Sequence, residues 1–409
     1  MKPLEEARSE VLSSVGLLGV EHVPIWQASG RVLAADVVAL ENVPPFANSA
    51  MDGFAVRAAD VAAPGSVLEV IGDLPAGSST DVEIQSGQAI KIMTGAPMPP
   101  GADTVARVED TSAEGSKVTI STAVEPGTSV RPAGGDVAEG QLVFTAGTRL
   151  TPMHVGVLAT IGVGHPEVFR RPRVAFMSTG DELTPPEAAA LEPGAIRDSN
   201  RPMLLSLLED AGVEPVDLGI IPDDPDVLRE ALTRAAVADV VVSTGGVSMG
   251  DYDVTKMVLQ GDAHVDFWQV AIQPAKPFAF GHIGDAFFFG LPGNPVSVLV
   301  SFEQFARPAL LKMQGARAVL RPQLVATAGE TLETDPEKTV FVRVLVEGLE
   351  QGSPTVVKSG GQASNVLSAA AVADGFALVP RGTAVIEQGQ AVTVEMFKWP
   401  ESREWTDGR

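Results

Sequence analysis

The sequence contains no cysteine, which excludes disulfides, thiolate nucleophiles, zinc–cysteine sites and iron–sulfur clusters. Its five histidines (His22, His154, His165, His264 and His282) show neither HxxxH nor HxxEH spacing, which argues against a histidine metal centre. Basic residues are scarce: 29 Lys plus Arg stand against 52 Asp plus Glu, a formal charge of −23. Such a balance lacks the basic footprint that a nucleic-acid partner needs, and it disfavours an anionic membrane surface. It also serves plain solubility. If the ligand is an anion, Lys, Arg or a divalent cation must be concentrated locally. No apolar run approaches the roughly 18 residues of a membrane span, and the opening MKPLEEARSE carries acids where a signal peptide has an apolar core. The expectation is a soluble, cytoplasmic protein without nucleic-acid or membrane partners.

What is present is globular: 45% hydrophobic and 20% charged over 409 residues, with no internal repeat and no low-complexity tract. That length suits about two to four domains. Residues 3–18 predict an amphipathic helix, with Leu4, Ala7, Val11, Leu12, Val15 and Leu18 on one face. RVLAADVVAL (31–40) reads as a strand. The Pro44–Pro45 pair then ends regular structure. Short apolar runs split by Gly, Pro and Asp follow (VLEVIG, AIKIM, TVARVED, KVTIS), the pattern of a small β module. TPMHVGVLATIGV (151–163) is again helical, with Met153, Val157, Leu158 and Ile161 on one side, so the β module reads as an insertion in a discontinuous helical domain.

Strand and helix then alternate. RVAFMS, PVDLGII, DVVVST, DFWQVAI and AFFFGL read as strands; PMLLSLLEDAG, DVLREALTRAA, VTKMVLQ and VSVLVSFEQFARPALLKM read as helices. Repeated βα units imply right-handed crossovers and a largely parallel sheet. QLVATAG, TVFVRVLV, FALVP and AVTVEMF close the chain as a β domain. The expected fold is multidomain α/β plus β: a discontinuous helical domain (1–41 and 130–169), an inserted β domain (42–129), a central α/β domain (170–318) and a C-terminal β domain (319–409).

Ligands of such sheets sit beyond the C-terminal ends of the strands. Val240, Val241 and Val242 form a short run suited to a strand buried on both faces. It leads into Ser243, Thr244, Gly245 and Gly246, where bare backbone can meet an anion, and then to Asp251 and Asp253. Alone, this is also what a plain strand-to-helix turn looks like. Two more strand ends carry the same package, however: Ser178-Thr179-Gly180-Asp181-Glu182 and Leu291-Pro292-Gly293-Asn294-Pro295. Helix N-termini behind these loops suit phosphate. The acids Asp181, Glu182, Asp223, Asp224, Asp251 and Asp253 crowd one rim, and like charges so placed call for a cation. An all-oxygen donor set beside phosphate fits Mg²⁺. Asp198 and Asp224 could equally be helix N-caps. Lys276, held between two prolines, is the best cation for an anion at the rim. A second constellation lies outside this domain, in SAMDGF around Asp52, TGAP at Thr94 and RPAGGD ending in Asp136. Those loops could also be ordinary β turns.

Taken together and in order, NSAMDGFAV, IMTGAPMPPGAD, RPAGGDV, MSTGDEL, IRDSN, IPDD, STGGVSMGDYD, AKPFAFG and GLPGNPVS resemble the MoeA-type molybdopterin molybdenumtransferases, the family that includes the E domain of gephyrin. The resemblance spans roughly residues 1–400. It implies four domains, the central one binding molybdopterin, and an elongated homodimer whose active site lies between the α/β domain of one chain and the inserted-domain loops of the other. It implies that adenylylated molybdopterin and molybdate are the substrates, with Mg²⁺, and that AMP is released in the last step of molybdenum cofactor synthesis. Transient contacts with the adenylyltransferase and with molybdoenzymes would follow.

Carried over by motif, the resemblance implies Asp52, Asp136, Glu182 and Asp253 as catalytic acids, with Glu182, Asp253 and Asp136 on the metal. Binding positions would be Thr94, Ser178, Thr179, Gly180, Asp181, Asp223 or Asp224, Ser243, Thr244, Gly245, Gly246, Lys276, Pro292, Gly293, Asn294, Pro295 and Ser364. Two departures stand out: many members carry a KPxKP segment where this chain has Gln273 in QPAKP, and the usual DGY is DGF. The alternatives are a molybdopterin adenylyltransferase, which uses the same α/β domain usually alone, and a non-catalytic molybdopterin-binding scaffold. The full length, the SAMDGFAV and GGD motifs and the retained acids favour insertion over both.

Overall fold

The computed structural model describes residues 1–246, 257–259, 264–349 and 352–399. Asp251 and Asp253, and most of the helix expected in VTKMVLQ, lie outside the described residues; 257–259 are helical. The chain forms two compact units, one made of Met1–Glu21 with Phe169 onward and the other of His22–Val168.

The first unit is built on a six-stranded sheet. Its strands lie side by side in the order Glu214–Ile221, Arg173–Thr179, Val240–Thr244, Ala286–Leu291, Pro277–Ile283 and His264–Gln269. The first four run parallel, and Pro277–Ile283 runs antiparallel to both of its neighbours, so the sheet is mixed, with a parallel part where the α/β pattern predicted it. Strand alternation builds two cores at once. Val174, Phe176, Val240, Val242 and Phe289 point into one. Ala175, Met177, Val241 and Phe288 point into the other. Every residue of Val240–Thr244 is buried, the mark of a strand covered on both faces.

Helix Pro225–Ala235 covers the second core through Leu228, Ala231, Leu232 and Ala235, an i, i+3, i+4, i+7 stripe. Helix Asn200–Asp210 covers the first through Leu204 and Leu208. The long C-terminal helix of this layer runs as Pro295–Ser301, one π-turn Phe302–Ala306 and Arg307–Met313. It is largely buried, and the π-turn presents two polar side chains. Glu303 takes two bonds from Arg321 (2.8 and 2.9 Å), and Gln304 Nε2 donates to Glu395 of the C-terminal domain at 2.6 Å. Burial pushes the Glu395 carboxyl above its ordinary range.

The N-terminal helix is Leu4–Ser14, shorter than the 3–18 stripe suggested, because the backbone turns extended at Val15. Leu4, Ala7, Val11 and Val15 bury in the same core as Val174 and Phe302, so the N-terminal helix packs on the α/β layer. The expected strand 266–272 ends at Gln269; Ile272–Gln273 instead joins the C-terminal sheet, parallel to Thr339–Glu347. The C-terminal domain is a closed barrel of five strands in the order Thr339–Glu347, Thr355–Lys358, Gln323–Ala328, Ala391–Met396 and Gly375–Val379, the last pairing back to the first. Closure removes exposed strand edges.

The second unit holds another six-stranded sheet, ordered Thr104–Arg107, Gly53–Val56, Gln88–Ile92, Ser66–Leu74, Lys117–Ile120 and Thr111–Glu114. It packs one cluster around Phe54, Leu68 and Val118 and another around Ile84, Ile90 and Ile92. The rest of this unit has little helix. Pro152–Thr160 buries Leu158, while Met153, expected on the same side, is 73% exposed. The expected strand 31–40 reduces to Val37–Val38 paired with Leu142–Phe144, with single bridges at Val32 and Leu33. Asp36 interrupts it by turning its carboxylate onto the Ala146 N–H at 2.8 Å.

Candidate functional site

Strand order makes the site. Arg173–Thr179 lies between Glu214–Ile221, which follows it in the chain, and Val240–Thr244, so the chain leaves its C-terminal end toward one side and that of Val240–Thr244 toward the other. A crevice opens where the order reverses. A cleft of about 750 Å³ is found there, lined by Thr179, Gly180, Glu182, Asp223, Thr244, Gly245, Gly246, Pro292, Gly293, Asn294 and Pro295 among the residues expected from sequence. The three strand ends therefore do meet at one rim.

Local chemistry explains how they meet. The Ser178 and Thr244 hydroxyls lie 3.0 Å apart across the strand pair, and Ser178 Oγ donates to Asp198 Oδ1 at 3.1 Å. Both hydroxyls are buried, as is Ser243, so Ser178 and Ser243 do not line the cleft. Gly245 has φ +89°, and a Cβ there would meet Thr179 O at 2.7 Å, so only glycine lets the two strand ends approach. At Gly180 (φ +144°) a Cβ would collide with the Glu182 carboxylate, which is folded back over the bare glycine.

The paired acids separate by role. Asp224 Oδ1 accepts from Asp226 N (2.8 Å) and Val227 N (3.1 Å) and caps helix Pro225–Ala235. Asp223 lines the cleft instead. Asp181 holds the Asp223 backbone N–H at 3.0 Å, which fixes one loop against the next. Asp198, buried, accepts from Asn200 N and Arg201 N at 3.1 Å each, although the N-cap position of helix Asn200–Asp210 falls to Ser199. Arg201 bridges it to Asp217 at 2.5 Å.

Several cleft residues were not singled out from sequence: Arg197, Asn200, Ser297 and Asn365. The IRDSN segment held the signal for the first two, as a polar stretch after a strand-like dipeptide. Asn200 is 7% exposed; its Nδ2 donates to Gly293 O at 2.7 Å, while Oδ1 is a buried acceptor with no hydrogen-bond partner among the described residues. Arg197 is anchored by Pro186 O at 2.7 Å.

A second, smaller pocket of about 280 Å³ adjoins the cleft, sharing Pro277, Asn294 and Ser297 with it. It holds Lys276 and Ser364 as expected, together with Gln273, Gln362 and Lys338. No acid lines it. Beneath its wall Arg343 is fully buried, donating to Gly361 O (2.6 Å) and Ala363 O (3.2 Å), and burial lowers its pKa.

The remaining candidates belong to the second unit. Asp52 Oδ1 accepts from both Thr94 N (2.7 Å) and Thr94 Oγ1 (2.9 Å), which hold its carboxyl below the ordinary carboxylate range. Asp136 is exposed on a loop pinned by its own N–H to Val43 O at 2.9 Å.

Comparison with known proteins agrees with this architecture. Residues 2–162 match the family described as MoeA N-terminal region (domain I and II), 175–312 the probable molybdopterin binding domain, and 325–397 the MoeA C-terminal region (domain IV). The molybdopterin molybdenumtransferase of Haemophilus influenzae is 37% identical over 401 residues, 97% of this chain and 99% of that protein. Molybdopterin molybdenumtransferase 2 of Mycobacterium tuberculosis is 39% identical over 383 residues, 91% of this chain and 94% of its own. A crystal structure of the molybdopterin biosynthesis MoeA protein from Pyrococcus horikoshii superposes with a TM-score of 0.82 at 30% identity, covering 97% of this chain and all of that one. With all three family regions in order and relatives matched along their whole length, the chain belongs to the MoeA family of molybdopterin molybdenumtransferases.

Proposed function

We propose that this chain transfers molybdenum to molybdopterin. In this reading it binds adenylylated molybdopterin and molybdate with Mg²⁺, delivers molybdenum to the dithiolene and releases AMP, in the cytoplasm. The observation that carries the reading is the pair of adjoining pockets, one large and acid-lined, one small, acid-free and cationic. The cleft of about 750 Å³ has room for a pterin, within the range usual for ligand sites. Its glycine turn brings backbone close to the ligand, Arg197 supplies positive charge for phosphate, and Asn200 Oδ1 waits for an N–H donor such as a pterin carries. The pocket of about 280 Å³ suits a small oxyanion held by Lys276, Ser297 and Ser364.

Magnesium fits the donor set of the cleft. Glu182 and Asp223 offer carboxylates, and no histidine lines it. No group of three or more acids or histidines that could hold a metal ion occurs among the described residues. Mg²⁺ ordinarily takes one or two carboxylates and completes its shell with water and phosphate oxygens. Glu182 and Asp223 would hold it here, with Asp253 and Asp136 as further donors in this reading. When bound, it would neutralise phosphate charge. Glu182 and Asp223 would orient the phosphates, and Lys276 would orient molybdate toward the shared wall at Asn294.

Asp52, Thr94 and Asp136 enter through a homodimer, in which the second unit of one protomer completes the cleft of the other. The family resemblance and the exposed placement of Asp52 and Asp136 support this arrangement. Transient contacts with an adenylyltransferase and with acceptor molybdoenzymes would follow from a labile substrate and product.

The test is reconstitution. Purified protein is mixed with adenylylated molybdopterin, Mg²⁺, molybdate and a cofactor-free molybdoenzyme. Recovery of molybdoenzyme activity that requires every component is the expected result. Binding of the pterin without any recovery would reject the enzyme and leave a scaffold.

A further inference from the structure

Strand Ala391–Met396 turns Val392, Val394 and Met396 into the barrel's own core, so Glu395 faces outward. Glu395 is nonetheless only 5% exposed, because this outer face is docked. Phe341 and Phe376 bury in the same core as Phe302 and Phe305 of the long helix, and Phe376 lies directly opposite Glu395 in the strand register. One acid therefore stands in an aromatic seam between the barrel and the α/β layer.

The seam meets that acid with an amide. Gln304, carried on the π-turn, donates its Nε2 to Glu395 Oε1 at 2.6 Å. The Gln304 Oε1 is taken by Arg8 Nη2; Arg8 Nε also donates to Gln304 O at 3.4 Å, and Arg8 Nη1 bonds Glu5 at 2.9 Å. On the same turn Glu303 holds Arg321 through two bonds, with Arg307 3.8 Å away, and Asp210 also acts on Arg321. Just beyond the strand pair, Lys398 and Asp374 pair with each other at 3.6 Å. Among the described residues no cation pairs with Glu395 itself. Burial raises its pKa; the Gln304 bond and the Arg8 charge oppose that, Glu303 adds to it and Arg321 works against it. A buried acid with one amide donor is favoured in its neutral form.

We propose that Glu395 is a positioning residue that acts as a proton-operated latch: neutral, it accepts from Gln304 and seats the barrel on the α/β layer; ionised, it loosens that seat. The barrel supplies Asn365 to the cleft and Gln362 and Ser364 to the small pocket, so the latch governs how fully both are closed. A carboxyl whose pKa is raised by docking gives its full stabilisation below the ordinary glutamate range and loses it as pH rises through the raised value. The seat therefore weakens toward alkaline pH.

The absence of cysteine allows a single thiol reporter. Ala370, 6% exposed on the short helix Leu367–Val372, buries in the core that the seam shares. In Ala370→Cys a maleimide reaches the thiol only when the seat opens. The experiment compares its labelling rate in the full chain with that of the same variant carrying Glu395→Gln, between about pH 5 and 9, with thermal melts of both. The ratio of the two rates cancels the thiol's own titration. It is expected to rise with pH by up to about tenfold per pH unit and then to level once the docked carboxyl has ionised. Adding Arg8→Gln removes a cation that favours the carboxylate, so the rise should extend to higher pH.

A ratio that stays flat with pH would overturn the latch, as would a thiol that never labels in either variant, since the seat would then not open. Faster labelling in Glu395→Gln at every pH, with a lower melting temperature, would reduce Glu395 to a structural part of the seam and overturn it. A rise that Arg8→Gln leaves in place or moves to lower pH would show that the charges around Gln304 do not control it, and overturn it too.

Discussion

The cleft and the small pocket share three residues, Pro277, Asn294 and Ser297, yet their chemistry is opposite. Among the described residues, Glu182, Asp198 and Asp223 line the cleft beside Arg197, whereas the small pocket is lined by Lys276 and by Lys338, itself paired with Asp335, and by no acid. The difference follows from where each is built. The cleft sits at strand ends of the α/β sheet, where acids cap helices and fix loops; the small pocket forms where Ile272–Gln273 leaves that sheet to join the barrel. In the proposed function, two opposite fields side by side would allow one protein to hold an organic phosphate with a cation and a free oxyanion at once. Either field alone would repel one of the partners.

The comparison can be broken most sharply at its acidic side. Glu182→Gln should reduce molybdenum transfer by about a hundredfold or more, the scale for losing a charged group at a reacting phosphate, while calorimetry shows molybdate affinity unchanged. Equal loss of molybdate binding would merge the two sites into one. Next in size, Lys276→Gln should weaken molybdate binding about tenfold or more and leave the affinity for adenylylated molybdopterin as in wild type, read by fluorescence titration of the pterin. The smallest effect separates two neighbours. Asp224→Ala should cost about 1 kcal/mol of stability through its lost helix cap, seen in urea melts, with transfer retained. Asp223→Asn should leave the melt alone and lower transfer; the reverse pattern would exchange their roles.

Much of the cleft was legible because its determinants are local. Val240–Thr244 announces a doubly buried strand, and Gly245 follows where only glycine fits against Thr179. Thr179-Gly180 and Pro292-Gly293 repeat that grammar, so the rule that ligands gather at strand ends placed them together. Sequence could not tell Asp223 from Asp224, since the choice depends on which carboxylate reaches back to Asp226 and Val227. The strand Pro277–Ile283 was hidden by the prolines of the motif before it, and Thr355–Lys358 by its brevity. Lys338 was invisible because it lines a pocket with Gln273, remote in sequence, only through the parallel pairing of Ile272–Gln273 with Thr339–Val340. The N-terminal helix shows the same limit from the other side. Its stripe at Leu4, Ala7 and Val11 predicts a buried face but not which core it enters.

The most direct measurement of the central claim is release of AMP from adenylylated molybdopterin by the purified protein with Mg²⁺, followed with and without molybdate. The account predicts release that depends on molybdate and saturates with it. Adenylylation of molybdopterin from ATP, with no molybdate-dependent release of AMP, would contradict it and assign the cleft to the preceding step.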